Sequence, residues 1–548
     1  MAALSPGFPR QRAARIAGAA LISGLVLLGP WAHGAASAQR RLPASFVDAG
    51  TLTVAMDGAT IDLDPASEQS YASDTVARNI EEALLGFDGS SMDSYRPLLA
   101  TSWSANGDKS VWTIHLRHNV RFHTGRCCLT AADVQYSIGR AVKAGLAGSY
   151  VYSRFLTDPF KQIKVVDAST VRFDLGRPEP IFPAALTSEY VGLILDAQAL
   201  KAHATKSDPY AHNWATGHDL GTGPYTLHSW TRQQQVVLSR FPAYWGGWSG
   251  SHFSRVVVRT VAESTTRREL VERGQADLTF NLTPQDYLAL RNNPRVRLVA
   301  PYATEVDYAV MTQWGPLASP YARQALSYAF PYNAYINGVF KGYAKRAYGP
   351  IPSALLGYDP HAFHYQTDLA RARALLQKAG VKPGTTLTYD YGTNGGPAGL
   401  LLQAQLAQIG LKLKVQQLSD QAMSSIFFGT EPPSQRPNLM FQTWWPDYND
   451  PWDMCDPLVA SSSAGAAGAN AGYYHNKTVD ALLAQMKNAG AETLVADAHR
   501  LQDITSRVDP AAIWVAEPAQ VTVMAANLQG FVPNPIELHT YGFYALHH

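Results

Sequence analysis

The segment Thr51-Leu-Thr-Val-Ala-Met56 is an apolar run of β-favouring residues, which predicts a first sheet strand. Val111-Trp-Thr-Ile-His-Leu116 and Thr170-Val-Arg-Phe-Asp-Leu175 alternate apolar with polar residues, and alternate side chains of a strand face opposite ways. Tyr225 to Leu238 and Arg255 to Val261 add strand candidates, so the N-terminal half is rich in β-structure. From Tyr321 to Phe330 the period lengthens. Ala322, Ala325, Leu326, Ala329 and Phe330 fall on one helical face. A second helix is predicted from Asp368, an N-cap, to Gly380 at its C′ position. Between 385 and 417 the two periods succeed one another. Leu387, Tyr389 and Tyr391 alternate, a helix follows through Leu402, Leu406 and Ile409 to Gly410, and Leu411, Leu413 and Val415 alternate again. Strand, helix and strand over so short a stretch predict a βαβ crossover and parallel pairing. Ser461 to Gly472 is nearly all Ser, Ala, Gly and Asn and is expected to be a surface loop.

The 548 residues are 46% hydrophobic and 16% charged, enough apolar material for a large core and too much for general disorder. The first 38 residues fit a cleaved secretory signal: Arg10, Arg12 and Arg15, an apolar stretch from Ile16 to Ala32, then Ala36-Ser37-Ala38. Gly18, Gly24, Gly29 and Pro30 interrupt that stretch, which argues against a membrane anchor. Losing its three arginines turns the formal charge from +2 to −1. Such a balance excludes a broad basic face for nucleic acid. Three cysteines cannot staple so long a chain.

The motifs of common enzymes are missing: no G-x-x-x-x-G-K-[ST], no H-E-x-x-H, no G-x-S-x-G. His361 and His364, at i and i+3, are read as an exposed loop pair beside Pro360 rather than as metal ligands. Asp447, Asp450, Asp453 and Asp456 fail as a calcium loop, because Pro451, Trp452 and Leu458 occupy positions that need a ligand, a glycine and a glutamate. Helix capping explains two of them, with Asp450 as N-cap before Pro451 and Asp453 in the first turn. Asp447 is left over. It lies just beyond the apolar Leu439-Met-Phe441 and the pair Trp444-Trp445. A carboxylate bordered by aromatic walls suits a cationic ligand group. An ordinary surface acid is the competing reading.

In order along the chain come Asn79-Ile-Glu-Glu-Ala-Leu-Leu-Gly-Phe-Asp88, Pro97-Leu-Leu-Ala-Thr-Ser-Trp103 and Trp112 to Val134, which contains Arg121-Phe-His123 and Leu129-Thr-Ala-Ala-Asp-Val134. Gly221-Thr-Gly-Pro-Tyr225, Tyr244-Trp-Gly-Gly247, Arg323-Gln-Ala-Leu-Ser-Tyr-Ala329, Gly349-Pro-Ile-Pro352 and Asp447-Tyr-Asn-Asp-Pro451 follow. Together they resemble the family 5 solute-binding proteins of bacterial ABC importers, the group of peptide and nickel binders. The resemblance implies an α/β, bilobed Venus-flytrap receptor of type II that closes by hinge motion. It implies lobe I over 39–301, with a central sheet from 51–62 and 219–301 and an added subdomain over 63–218. Lobe II would cover 302–523, and 524–548 would return to lobe I. It further implies a monomer in the Gram-negative periplasm that passes peptides to a permease and its ATPase, with no cofactor, metal or catalytic residue. Asp447 falls where peptide binders hold the ligand's α-amino group. Trp444 and Trp445 become pocket walls, with core packing the alternative for one of them. Gln69, Ser70 and Tyr71 fall near a loop that offers backbone groups to ligand. A receptor for a nickel chelate, haem or oligosaccharide is the alternative within the family, and a secreted hydrolase the alternative outside it.

Some residues depart from the family pattern. Thr124 replaces the usual acid of the F-H-x-G turn, and Cys127-Cys128 is an unusual pair. No arginine occurs in Tyr389 to Gly396, where dipeptide binders place a partner for the ligand's carboxylate. That disfavours a free dipeptide and leaves longer or modified peptides, or another amine. No bond is expected between the lobes through Cys455; Cys127 and Cys128 are either bonded to each other or free.

Overall fold

The computed structural model describes residues 50–548 except 68–69, 147–148, 189–191, 466–467 and 539. The leader expected at 1–38 and Gln69 lie outside the described residues. Two large mixed sheets organise the rest. The seven-stranded sheet runs, in spatial order, Val296–Val299, Thr522–Ala525, Leu278–Phe280, Thr51–Met56, Arg255–Thr260, Gln235–Arg240 and Tyr225–Thr231. Its centre is parallel, Thr51–Met56 pairing with Arg255–Thr260 and with Leu278–Phe280. Leu52, Val54 and Met56 pack into one core and Ala55 into another, so this strand is covered on both faces. The region read as one strand candidate from Tyr225 to Leu238 is a hairpin that turns at 232–234.

The six-stranded sheet runs Ala344–Arg346, Ala512–Pro518, Val306–Met311, Leu439–Trp444, Thr386–Tyr391 and Lys412–Gln417. The βαβ unit forms as its periods predict: Thr386 to Tyr391 lies parallel to Lys412 to Gln417, joined by the helix Gly396–Gln408. That helix sits tight on its sheet, since a Cβ at Gly399 would meet the Tyr389 ring at 2.6 Å. The helix Pro320–Ala329 is capped by Ser319, and Leu369–Lys378 by Asp368, whose carboxylate accepts from the Arg371 amide. The chain passes between the two sheets from Val299 to Val306 and again from Pro518 to Thr522.

A third, antiparallel sheet (Ala100–Ala105, Val111–Leu116, Thr170–Asp174, Ile163–Asp167) packs with the helix Ala131–Ala144 around its own core. Four of the segments that carried the resemblance, those around Glu82, His123, Gly221 and Tyr244, meet between this part and the seven-stranded sheet. Buried Glu82 accepts hydrogen bonds from Thr222 Oγ1, the Tyr244 hydroxyl and Trp245 Nε1, at 2.9, 2.9 and 2.8 Å. His123 bonds Asp219 at 2.6 Å through Nδ1, and its Nε2 lies 2.9 Å from the Gly223 carbonyl. Gly221 and Gly223 are glycines because a Cβ at either would strike the backbone of Ile80 and Glu81. Cys127 is bonded to Cys128, and Cys455 is free and buried.

The expected surface loop at Ser461 to Gly472 is a correction. Ala469, Asn470 and Ala471 are buried. Asn470 Nδ2 donates to the carbonyls of Ala460 and Tyr474, and its Oδ1 accepts from the Tyr474 amide. One side chain thus satisfies three backbone groups, which lets small polar residues lie inside.

Candidate functional site

The strand Leu439–Trp444 delivers the chain to the site. Past it, Trp445 is 39% exposed, Asp447 sits on the turn, and Pro451–Val459 begins a helix. Asp450 caps that helix, its Oδ1 accepting from the Trp452 amide at 2.8 Å. Asp453 in the first turn also turns back to accept from the Asp447 amide at 2.7 Å. This bond fixes where Asp447 stands.

Around these residues lies a cavity of about 1160 Å3, bordered by Trp444, Trp445 and Asp447. Two helices face it with stripes of the same period. Asp453, Asp456, Pro457 and Ala460 come from the first, and Asp480, Leu483, Ala484 and Lys487 from the helix Lys477–Met486 and its C-cap. Ser461 to Ser463 close one end, where Asp480 accepts from the Ser461 amide and hydroxyl at 2.8 and 2.7 Å. Phe427 and Phe428 add apolar wall, and Ser153 and Arg154 reach in from the third-sheet region. The residues after Asp447 join that region to the six-stranded sheet. Tyr448 is buried in the third-sheet core, Asn449 donates to Asp93, and Arg154 pairs with Asp450 at 2.7 Å and Glu179 at 3.2 Å.

The electrostatics are uneven. Burial, then the charges of Asp447 and Asp450, push the Asp453 carboxyl well above the ordinary range. Burial also raises Asp456. Desolvation, then repulsion from Arg177 and Arg154, lowers Lys487. The Trp444 indole N–H is buried without a hydrogen-bond partner among the described residues. Its ring also packs on the core beneath, so this tryptophan serves core and wall together.

Asp447, Trp444 and Trp445 therefore meet at one cavity. Ser70 and Tyr71 do not border it. Ser70 is the N-cap of the helix Tyr71–Ile80, and the Tyr71 hydroxyl donates to Asp57 at 2.6 Å with its ring edge-on to Phe280. These two residues lie beside the ends of Thr51–Met56 and Leu278–Phe280. Sequence patterning missed Arg154, Asp480, Lys487 and the Ser461 turn. The signal was faint: the Asp480 to Lys487 stripe has helical spacing but mixed polarity. His364, a discarded metal candidate, stacks on Tyr348 with ring centroids 4.5 Å apart.

Ser461 Oγ lies 2.7 Å from both His475 Nδ1 and Asp480 Oδ2. The serine stands between acid and imidazole. The Ser461 hydroxyl donates to Asp480, and with its one hydrogen so placed it has none to give the imidazole as a base, unlike the serine of a hydrolytic triad.

The family model of bacterial extracellular solute-binding proteins, family 5 (middle), matches residues 94–466. A probable D,D-dipeptide-binding periplasmic protein of Escherichia coli is 30% identical over 445 residues, covering 80% of this chain and 82% of the relative. A di/tripeptide-binding protein of Pseudomonas aeruginosa is 28% identical over 510 residues, covering 89% and 93%. Among solved structures, an ABC transporter-associated periplasmic binding protein of Helicobacter pylori with the peptide STSA superimposes with a TM-score of 0.79. It is 23% identical and covers 91% of this chain and 98% of its own. The fold shared with it is the bilobed α/β architecture.

Proposed function

Because the chain belongs to the bacterial extracellular solute-binding proteins of family 5, we propose that it is a periplasmic receptor that captures peptides and delivers them to an ABC permease. The observation that carries this reading is Asp447, held by Asp453 at a wall it shares with Trp444 and Trp445. A carboxylate there takes the ligand's α-amino group in a charge-assisted bond, and the indoles flank the adjoining chain. A cavity of about 1160 Å3 has room for more than two residues, in keeping with an oligopeptide or a modified peptide. The unactivated Ser461 supports capture over hydrolysis. Among the described residues no helix is long and apolar enough to cross a membrane, which accords with a chain released after its leader is cut. Lobe I would be built on the seven-stranded sheet with the third-sheet region added, and lobe II on the six-stranded sheet. The receptor would act as a monomer without cofactor.

Asp447→Asn keeps the shape and removes the charge. It is expected to weaken a peptide with a free amino terminus by about 1.5–3 kcal/mol and to leave the N-acetylated peptide unaffected. Isothermal titration calorimetry measures both, and equal affinities in wild type and variant would sink the assignment.

A further inference from the structure

Besides Asp447, the cavity needs a partner for whatever anionic group the ligand carries. Its wall has two basic residues, Arg154 and Lys487. Arg154 is committed: Asp450 and Glu179 hold its guanidinium at 2.7 and 3.2 Å, with its side chain only 6% exposed. Its Nη2 also donates to the Lys487 carbonyl at 3.3 Å, fixing the end of that helix.

Lys487 is placed differently. Its ammonium stands 5.2 Å from the Trp452 ring, on which the Arg154 guanidinium also rests at 4.7 Å. Among the described residues it has no ion pair. Asp456 and Glu179 attract it, but neither reaches ion-pair distance. Burial first, then the charges of Arg177 and Arg154, disfavour its ammonium form and lower its pKa. The result is a half-buried cation on a cavity wall, beside an aromatic ring, with Asp456 and Glu179 attracting it from beyond ion-pair distance.

We propose that Lys487 is a specificity-determining residue that receives a carboxylate of the bound ligand, so that the receptor selects molecules carrying both an amine and a carboxylate. This rests on the peptide-binding reading above. It supplies from the Lys477–Met486 helix the cation that the sequence between Tyr389 and Gly396 lacks. The carboxylate is either the free C-terminus of a short peptide or an acidic side chain, and both present the same pair of oxygens to the ammonium.

Three probes distinguish these sources: trialanine, its C-terminal amide, and Ala-Glu-Ala amide, titrated into wild type, Lys487→Met and Lys487→Arg. Wild type is expected to prefer a carboxylate-bearing probe over trialanine amide by tenfold or more. Preference for trialanine identifies the C-terminus, and preference for Ala-Glu-Ala amide identifies the side chain. In Lys487→Met that preference is expected to fall below twofold, and Lys487→Arg is expected to retain it. A carboxylate preference that survives in Lys487→Met, or that is missing from wild type, overturns the proposal. Asp447→Asn separates the two readings: if it leaves affinity unchanged while the carboxylate preference follows Lys487, the amine assignment to Asp447 fails and the carboxylate assignment to Lys487 stands.

Discussion

Glu82 shows what a single residue does inside this fold. Burial pushes its carboxyl up to about 7, against the pull of its donors Trp245, Thr222 and Tyr244. The folded state therefore binds a proton more tightly than the unfolded chain, whose ordinary value is 4.5. The stability this proton contributes is complete below 4.5 and is lost as pH rises through about 7. Asp307, raised by burial and then by Glu305 to about 8, acts with the same sign, so Glu82 accounts for part of the slope. Glu82→Gln keeps an acceptor for the indole and cannot ionise. Its stability by urea denaturation is expected to decline less than that of wild type between pH 4.5 and 7.5, and parallel profiles would refute the assignment. His212 also follows this direction: its bond to Asp64 raises its pKa, so its contribution is complete below its ordinary 6.5 and is lost as pH rises through the raised value.

At the scale of elements, the segment from Asp447 to Pro451 is a joint as much as a site. Tyr448 fills the core of the third-sheet region and borders the cavity from there, Asn449 and Asp450 hold that region from outside, and Asp447 brings its carboxylate to the cavity wall. Arg154 closes the joint. Arg154→Met would strand buried Asp450 without its ion-pair partner and leave Glu179 to Arg177 alone, and breaking such a buried pair costs about 3–5 kcal/mol. A loss of less than 1 kcal/mol in chemical denaturation would show that the joint does not depend on it. The capping residues here were legible in sequence, because N-cap acid and N1 proline act locally. The inward course of Ser461 to Gly472 was not. Its composition matches that of a loop, and only the long-range bonds of Asn470 explain its burial.

For the whole molecule, the chain crosses twice between its two large sheets, by 299–306 and by 518–522. Two short connections are a hinge in the physical sense, since few backbone torsions need change for one body to turn on the other. Saturating peptide is therefore expected to reduce the radius of gyration in small-angle scattering, and an unchanged curve would show that capture proceeds without closure. Local order was written in the sequence: the periods of strand and helix, the caps, the βαβ unit, and the spaced motifs that mark the family. Several of those motifs proved to be scaffold, meeting at Glu82 and His123 from far apart along the chain, while the one that begins at Asp447 borders the cavity. Only the tertiary structure decided what borders the cavity. It joined Asp447 to Lys487 and Asp480 across two helices and left Ser70 and Tyr71 outside, because neighbours across a fold are set by packing, which no local pattern encodes.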